Sequence, residues 1–98
     1  MLNIVRHAIE AREVLEIDYP PGKRYIEPHA LGYSADGNVL LRAFQTTGAS
    51  ASGEHANWKL LRIDRVGAAG LTGSVFSGAR PDYRRGDKSM KGGIIAQL

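Results

Sequence analysis

At Leu15 the spacing of apolar residues changes from that of a helix to that of a strand, with almost no linker between the two. Before it, Ile4, Ala8, Ala11 and Leu15 fall at i, i+4, i+7 and i+11 with Val5 and Ile9 beside them, one apolar stripe on a helix of about three turns. Asn3 is the expected N-cap, and the pattern predicts a helix over about residues 3–14. From Leu15 onward the period is two: Leu15, Ile17 and Tyr19 face one way, Glu16 and Asp18 the other. Pro20-Pro21-Gly22-Lys23 reads as a turn, and Arg24-Tyr25-Ile26-Glu27 resumes extended structure. Pro28 is expected at an edge or bend, because proline has no N–H to give a central ladder. Ala35-Asp36-Gly37-Asn38 has hairpin composition and leads into the strand-like run Val39–Phe44. Thr46–Gly53 is small and polar and is expected to be a mobile loop. With a strand from Trp58 and a last short one around Leu71–Phe76, five short strands after one helix predict a mainly β small barrel over about 15–76. A basic tail, 77–98, completes the single domain, and no internal repeat is evident.

The 98 residues are enough for one hydrophobic core and too few for two. With no cysteine there is no disulfide and no thiolate metal site, which fits a reducing cytoplasm. No apolar run approaches a bilayer's thickness, and Arg6-His7 interrupts the N-terminus before a signal-peptide core could form, so a cytoplasmic protein without a membrane partner is expected. The formal charge of +3 is unevenly spread. Residues 1–58 carry five Lys/Arg against seven Asp/Glu (−2), whereas 59–98 carry eight against three (+5). A local positive field of this kind draws phosphate-bearing partners, or simply keeps a surface solvated.

Within Trp58-Lys59-Leu60-Leu61-Arg62-Ile63-Asp64-Arg65-Val66, extended geometry puts Trp58, Leu60, Arg62 and Asp64 on one face and Lys59, Leu61, Ile63 and Arg65 on the other. Arg65 then shares a face with Leu61 and Ile63, which predicts a bend or bulge near Asp64. A guanidinium delivered to the end of such a strand is suited to gripping an anion.

Taken in order, Ala8-Ile9, Ile17-Asp18-Tyr19, Arg24-Tyr25-Ile26-Glu27-Pro28 with Ala30-Leu31, Leu41-Arg42-Ala43, and Leu61-Arg62-Ile63-Asp64-Arg65-Val66 resemble the WYL domain, a bacterial regulatory module. The likeness covers roughly residues 8–76. It departs at the Trp-Tyr-Leu triplet that names the family, which stands here as Val39-Leu40-Leu41, and the chain has no room for the winged-helix DNA-binding domain such proteins usually carry. The resemblance implies an SH3-like or Sm-like β-barrel, a role in transcription regulation, and a patch formed by Arg24, Arg62 and Arg65 that takes a nucleic-acid or nucleotide-like effector. Arginine suits that role, being always charged and able to grip phosphate with a planar fork. Tyr19 and His29 are expected to add stacking or a hydrogen bond, and Lys59 to assist.

Each of these residues also has a plain structural reading. Arg62 and Arg65 can equally pair with Asp64, Glu27 or Asp18, Arg42 reads as a barrel-exterior residue or else a patch member, and Trp58 as core or interface ahead of a base-stacking platform. Arg84-Arg85, Lys88 and Lys91 fit either a phosphate-tracking tail or a solvated basic run, the second being favoured, and Arg80-Pro81-Asp82-Tyr83 reads as an anchor for the tail. His7, His29 and His55 lack metal-ligand spacing, and no nucleophile elbow or phosphate loop occurs, so neither metal, cofactor nor catalysis is expected. The expected function is recognition of an anionic effector, single-stranded nucleic acid or a nucleotide. The alternative is a protein-interaction or self-association module working through exposed strand edges and the apolar end Ile94–Leu98, partnered by a transcription regulator, a nuclease or a second copy.

Overall fold

The computed structural model describes all of residues 1–98. Helix α1 (Leu2–Ala11) buries Val5, Ala8 and Ile9 of the expected stripe, but it stops short of residue 14, so Ala11 is exposed and Leu15 belongs to the strand that follows. It starts ahead of Asn3, with Met1 rather than Asn3 at the N-cap and no side-chain cap bond. Arg12 takes a left-handed conformation (φ 53°) at its C-cap, and its N–H closes the last turn on Ala8 and Ile9 carbonyls. The reversal is immediate, so β1 (Glu13–Tyr19) begins two residues before the expected barrel start.

Strand β2 (Gly22–Tyr33) is the spine of a six-stranded antiparallel sheet. Strand β3 (Val39–Gly48) pairs along one of its edges throughout. The other edge is shared: β1 takes Gly22–Ile26, and β6 (Gly93–Gln97) takes Ala30–Tyr33. Pro28 lies between those two stretches, so its missing N–H interrupts neither ladder on that edge. The β2–β3 turn is the one the sequence predicts, with Gly37 at φ 84° and Ser34 binding the Asn38 N–H through its hydroxyl. Strand β4 (Asn57–Arg62) pairs with β3, and β5 (Ala68–Val75) pairs with β1, giving the order β4-β3-β2-β1-β5.

The bend expected near Asp64 is a 3-10 turn over Ile63–Arg65 that carries the chain from β4 to β5. No ladder joins β4 to β5, so the sheet curls without closing into a barrel. One bond ties β4 back to β1 instead, from Arg62 N–H to the Tyr19 hydroxyl at 3.1 Å, while Gly67 N–H continues the β1–β5 pairing onto the Asp18 carbonyl at 2.9 Å. The main core fills the concave side, where Leu15, Ile17, Ile26, Leu31, Leu41 and Leu61 meet α1.

Two further expectations are corrected. There are six strands, not about five. Thr46–Gly48 belong to β3, and the loop after them is bonded in place: Lys59 Nζ reaches Ser50 Oγ (3.0 Å) and Glu54 O (2.7 Å), and Gln45 Nε2 reaches Ala49 O (2.8 Å) and His55 O (3.0 Å). The tail from Ser77 folds back across the outer face of the sheet and returns as β6. Its Met90 forms a second small core with Ala30 and Leu40.

That second core is tight at Gly32, where a Cβ would lie 2.6 Å from the Gly93 carbonyl and 2.9 Å from Met90 Sδ. Gly32→Ala is therefore expected to cost about 2 kcal/mol by overpacking, read as a lower urea midpoint. A wild-type midpoint would mean that β6 is not seated against β2 at this position.

Candidate anion-binding cleft

The outer face of the sheet carries Leu40, Arg42 and Phe44 of β3, directly opposite Arg62, Leu60 and Trp58 of β4. The returning segment 82–89 stands over this face, and between the two lies a cleft of about 460 Å³. Arg42 and Trp58 contribute from the sheet, and Tyr83, Arg84, Arg85 and Lys88 from the segment. The Trp58 and Tyr83 rings lie nearly parallel, with centroids 6.2 Å apart and an angle of 22°. The lining also includes two carboxylates, Asp82 and Asp87.

Asp87 sits on the Arg42 guanidinium: Nε to Oδ2 is 2.7 Å and Nη2 to Oδ1 is 3.3 Å. That hydrogen bonding holds the Asp87 carboxyl below its ordinary range, against the opposing effect of burial. Arg85 Nε donates to the Leu98 carbonyl at 3.1 Å. The side chains of Arg84 and Lys88 are exposed and make no hydrogen bond or ion pair within the protein. They are cations free to meet a ligand.

The cleft is set in place by His29. The β2–β3 register runs Pro28↔Ala43 and then Ala30↔Arg42, so His29 is the extra residue of a β-bulge, a device that re-aims a side chain. Its ring is fully buried against Trp58, Phe76 and Tyr83, with centroids at 4.7, 5.6 and 5.1 Å. Arg80 N–H donates to Nε2 at 3.1 Å, so the ring proton is on Nδ1, which donates to the Glu27 carbonyl at 2.8 Å. Burial, foremost, holds His29 below its ordinary pKa; the Glu27 backbone bond and carboxylate pull upward, and Arg80 pushes further down. Arg80 is itself fixed, paired to Glu27 at 2.6 Å and lying over the Phe44 ring at 4.1 Å. The Tyr83 hydroxyl ends beside the carbonyls of His29 and Leu98, and burial raises its pKa.

Of the six residues singled out from sequence, three lie together at the β1–β4 gap: Arg24 packs against the Tyr19 ring (4.9 Å), and the Tyr19 hydroxyl meets the Arg62 backbone. Arg24 is buried and donates to the Tyr19 and Pro20 carbonyls and to Gln45 Oε1. Desolvation lowers its pKa, yet an arginine this far above neutrality keeps its charge. Arg62 is paired with Asp64 at 2.6 Å, which raises the pKa of the arginine and lowers that of the aspartate. Arg65 is exposed and makes no hydrogen bond or ion pair with a protein group. Lys59 holds the 49–56 loop, and His29 orders the cleft from beneath.

No family model, curated protein or solved structure matches the chain.

The cleft's chemistry therefore rests on its own residues. No helix is long and apolar enough to cross a membrane, and no group of three or more His, Cys, Asp or Glu is placed to hold a metal ion. Sequence reasoning weighs Arg42 as a member of a basic patch and Arg84, Arg85 and Lys88 as a phosphate-tracking tail, and in each case favours the exterior or solvated reading. Their one readable signal is a basic run starting directly after an aromatic, Tyr83-Arg84-Arg85.

Proposed function

We propose that this protein is a ligand-sensing domain that binds a phosphate-bearing anion, single-stranded nucleic acid or a nucleotide, in the cleft between β3–β4 and segment 82–89. The observation that carries this reading is the convergence of Arg42, Arg84, Arg85 and Lys88 on one concave space beside the Trp58–Tyr83 pair. Cations grip phosphate, an aromatic face stacks on a base, and nothing in the set calls for bond-making chemistry. The strand order β4-β3-β2-β1-β5, with a 3-10 turn between β4 and β5, supports an SH3-like core and so the WYL-like, regulatory reading of the sequence. Arg62 and Arg65, at the end of β4 and in the turn after it, would extend the positive surface beyond the cleft.

The test is fluorescence anisotropy of a labelled single-stranded oligonucleotide at two salt concentrations. Arg84→Ala/Lys88→Ala is expected to weaken binding about tenfold or more, and to flatten the dependence of log affinity on log salt by about 0.7 for each phosphate that is no longer neutralised. Arg62→Ala/Arg65→Ala is expected to change affinity less. No binding by the intact protein, or equal small losses in both variants, would sink the cleft as the site.

A second reading has its own observation. β5 is an edge strand without a single charged residue, and it exposes Leu71 (45%) and Val75 (72%). Such an unguarded edge invites strand addition from a partner or a second copy. It predicts a mass above that of the monomer, reversed by Leu71→Lys.

A further inference from the structure

Arg42 presents the cleft's one side chain with a paired guanidinium fork, and its partner is not part of the sheet. Asp87 comes from the returning segment and meets Arg42 in a two-point grip, 2.7 and 3.3 Å, the same geometry a phosphate's oxygens adopt. The Asp87 side chain is 8% exposed and that of Arg42 27%, so the residue that occupies the fork is shielded more than the arginine that supplies it. Ser89 strengthens the grip from the same loop: its hydroxyl takes a bond from Arg42 Nη2 (3.3 Å), and its N–H donates to Asp87 Oδ1 (2.9 Å). Asp82, the other carboxylate of the lining, is exposed and pairs with nothing.

We propose that Asp87 is a tethered stand-in for the ligand's phosphate: the incoming anion takes over the Arg42 fork, Asp87 leaves it, and the Gly86–Gly92 strap loosens. This rests on reading the cleft as an anion site. A phosphate brings more charge and more acceptor oxygens than one carboxylate, while the neighbouring Arg84 and Lys88 already favour it. The displacement would be felt at a distance because the strap's polar ties to β3 are those two side chains, Asp87 and Ser89, on Arg42. Further ties of the strap lead to β6 and its neighbour β2: Gly86 N–H to Gln97 Oε1 (2.9 Å), Gly93 N–H to the Met90 carbonyl (3.1 Å) and Gly92 N–H to the Tyr33 carbonyl (2.9 Å). Ligand occupancy is thereby converted into freedom of the last strand and of the β2 edge beneath it.

The experiment measures a labelled oligothymidylate against wild type, Asp87→Asn and Asp82→Asn, alongside Arg84→Ala/Lys88→Ala. Asp87→Asn is expected to bind about tenfold tighter, because a charged competitor is removed from the fork, and Asp82→Asn to gain no more than about twofold. Independently of any variant, amide exchange in wild type at Gly86, Ser89 and Gly92 is expected to quicken when the oligonucleotide saturates the protein. Equal gains in the two asparagine variants, or an Asp87→Asn affinity at or below wild type, overturn the exchange at Arg42. So does slower amide exchange across the strap. In each of those cases a loss of binding in Arg84→Ala/Lys88→Ala leaves the cleft standing as the site. If wild type binds nothing, both readings fall together.

Discussion

Replacing Arg24 by alanine is expected to lower the stability of the fold by about 3 kcal/mol, and to leave the oligonucleotide affinity of the folded protein unchanged. Arg24 is 3% exposed, and its guanidinium reaches three acceptors: Tyr19 O at 3.2 Å, Pro20 O, and Gln45 Oε1 at 3.3 Å. Removing it takes a donor from each of those oxygens and opens a cavity beside the Tyr19 ring, two losses that add. The damage then reaches the 49–56 loop, because Gln45 holds that loop with its amide nitrogen. Lysine is expected to rescue only part of the loss, since a point charge cannot reach three acceptors in three directions. Urea denaturation gives the first quantity and anisotropy on the folded fraction the second. A stable variant that no longer binds would return Arg24 to the ligand site that sequence reasoning gave it.

Acidification is expected to destabilise the protein well before carboxylates titrate, and His29 is the cause. In the unfolded chain this histidine takes up a proton as pH falls below about 6.5. In the folded protein its pKa is lowered, mainly by burial, so over the window between the two values the unfolded state binds more protons. Stability therefore falls with falling pH there, by at most about 1.4 kcal/mol per pH unit for a single proton, and levels off once the folded-state pKa is passed. Protonation would also turn Nε2 from acceptor to donor against the Arg80 N–H that it now accepts, pushing the start of the 80–89 segment off the sheet. Oligonucleotide affinity should consequently fall in the same window. His29→Gln, which does not titrate, is expected to flatten the stability slope. An unchanged slope in that variant would place the acid sensitivity in another group.

The elements legible from sequence are those fixed by short-range physics. The helix-to-strand switch, the Ser34–Asn38 reversal and the alternation of Trp58–Arg62 each depend on residues within a turn or two, and each is found in the structure, the switch falling at Arg12 rather than at Leu15. The bend after Arg62 is also legible, because Arg65 on the face of Leu61 and Ile63 would otherwise put a cation into the core. The tail is not. Its β6 pairs with residues far upstream, Gln97 against Ala30, and only the outer face of β2 and β3 tells Tyr83, Asp87 and Met90 where to settle. The roles of the arginines escape for a related reason. A long side chain ending in five donors takes whichever acceptors the fold brings near: backbone carbonyls for Arg24, Asp64 for Arg62, Asp87 for Arg42. Residue type fixes the capacity for an anion and leaves the partner to tertiary structure.

The division of one β2 edge between β1 and β6 also sets the order in which the molecule can assemble. Ile26 meets Leu15 across a single tight turn, whereas Ala30 waits for Gln97. Closing the long loop is an entropic cost that local contacts cannot share, so the β1–β2–β3 meander is expected to form first and β6 to join late. Substitutions in β6 should then speed unfolding and leave the folding rate nearly untouched, while those in the meander slow folding. The ligand cleft, roofed by the segment that leads into β6, is on this account the last part of the protein to exist on the way in and the first to go on the way out.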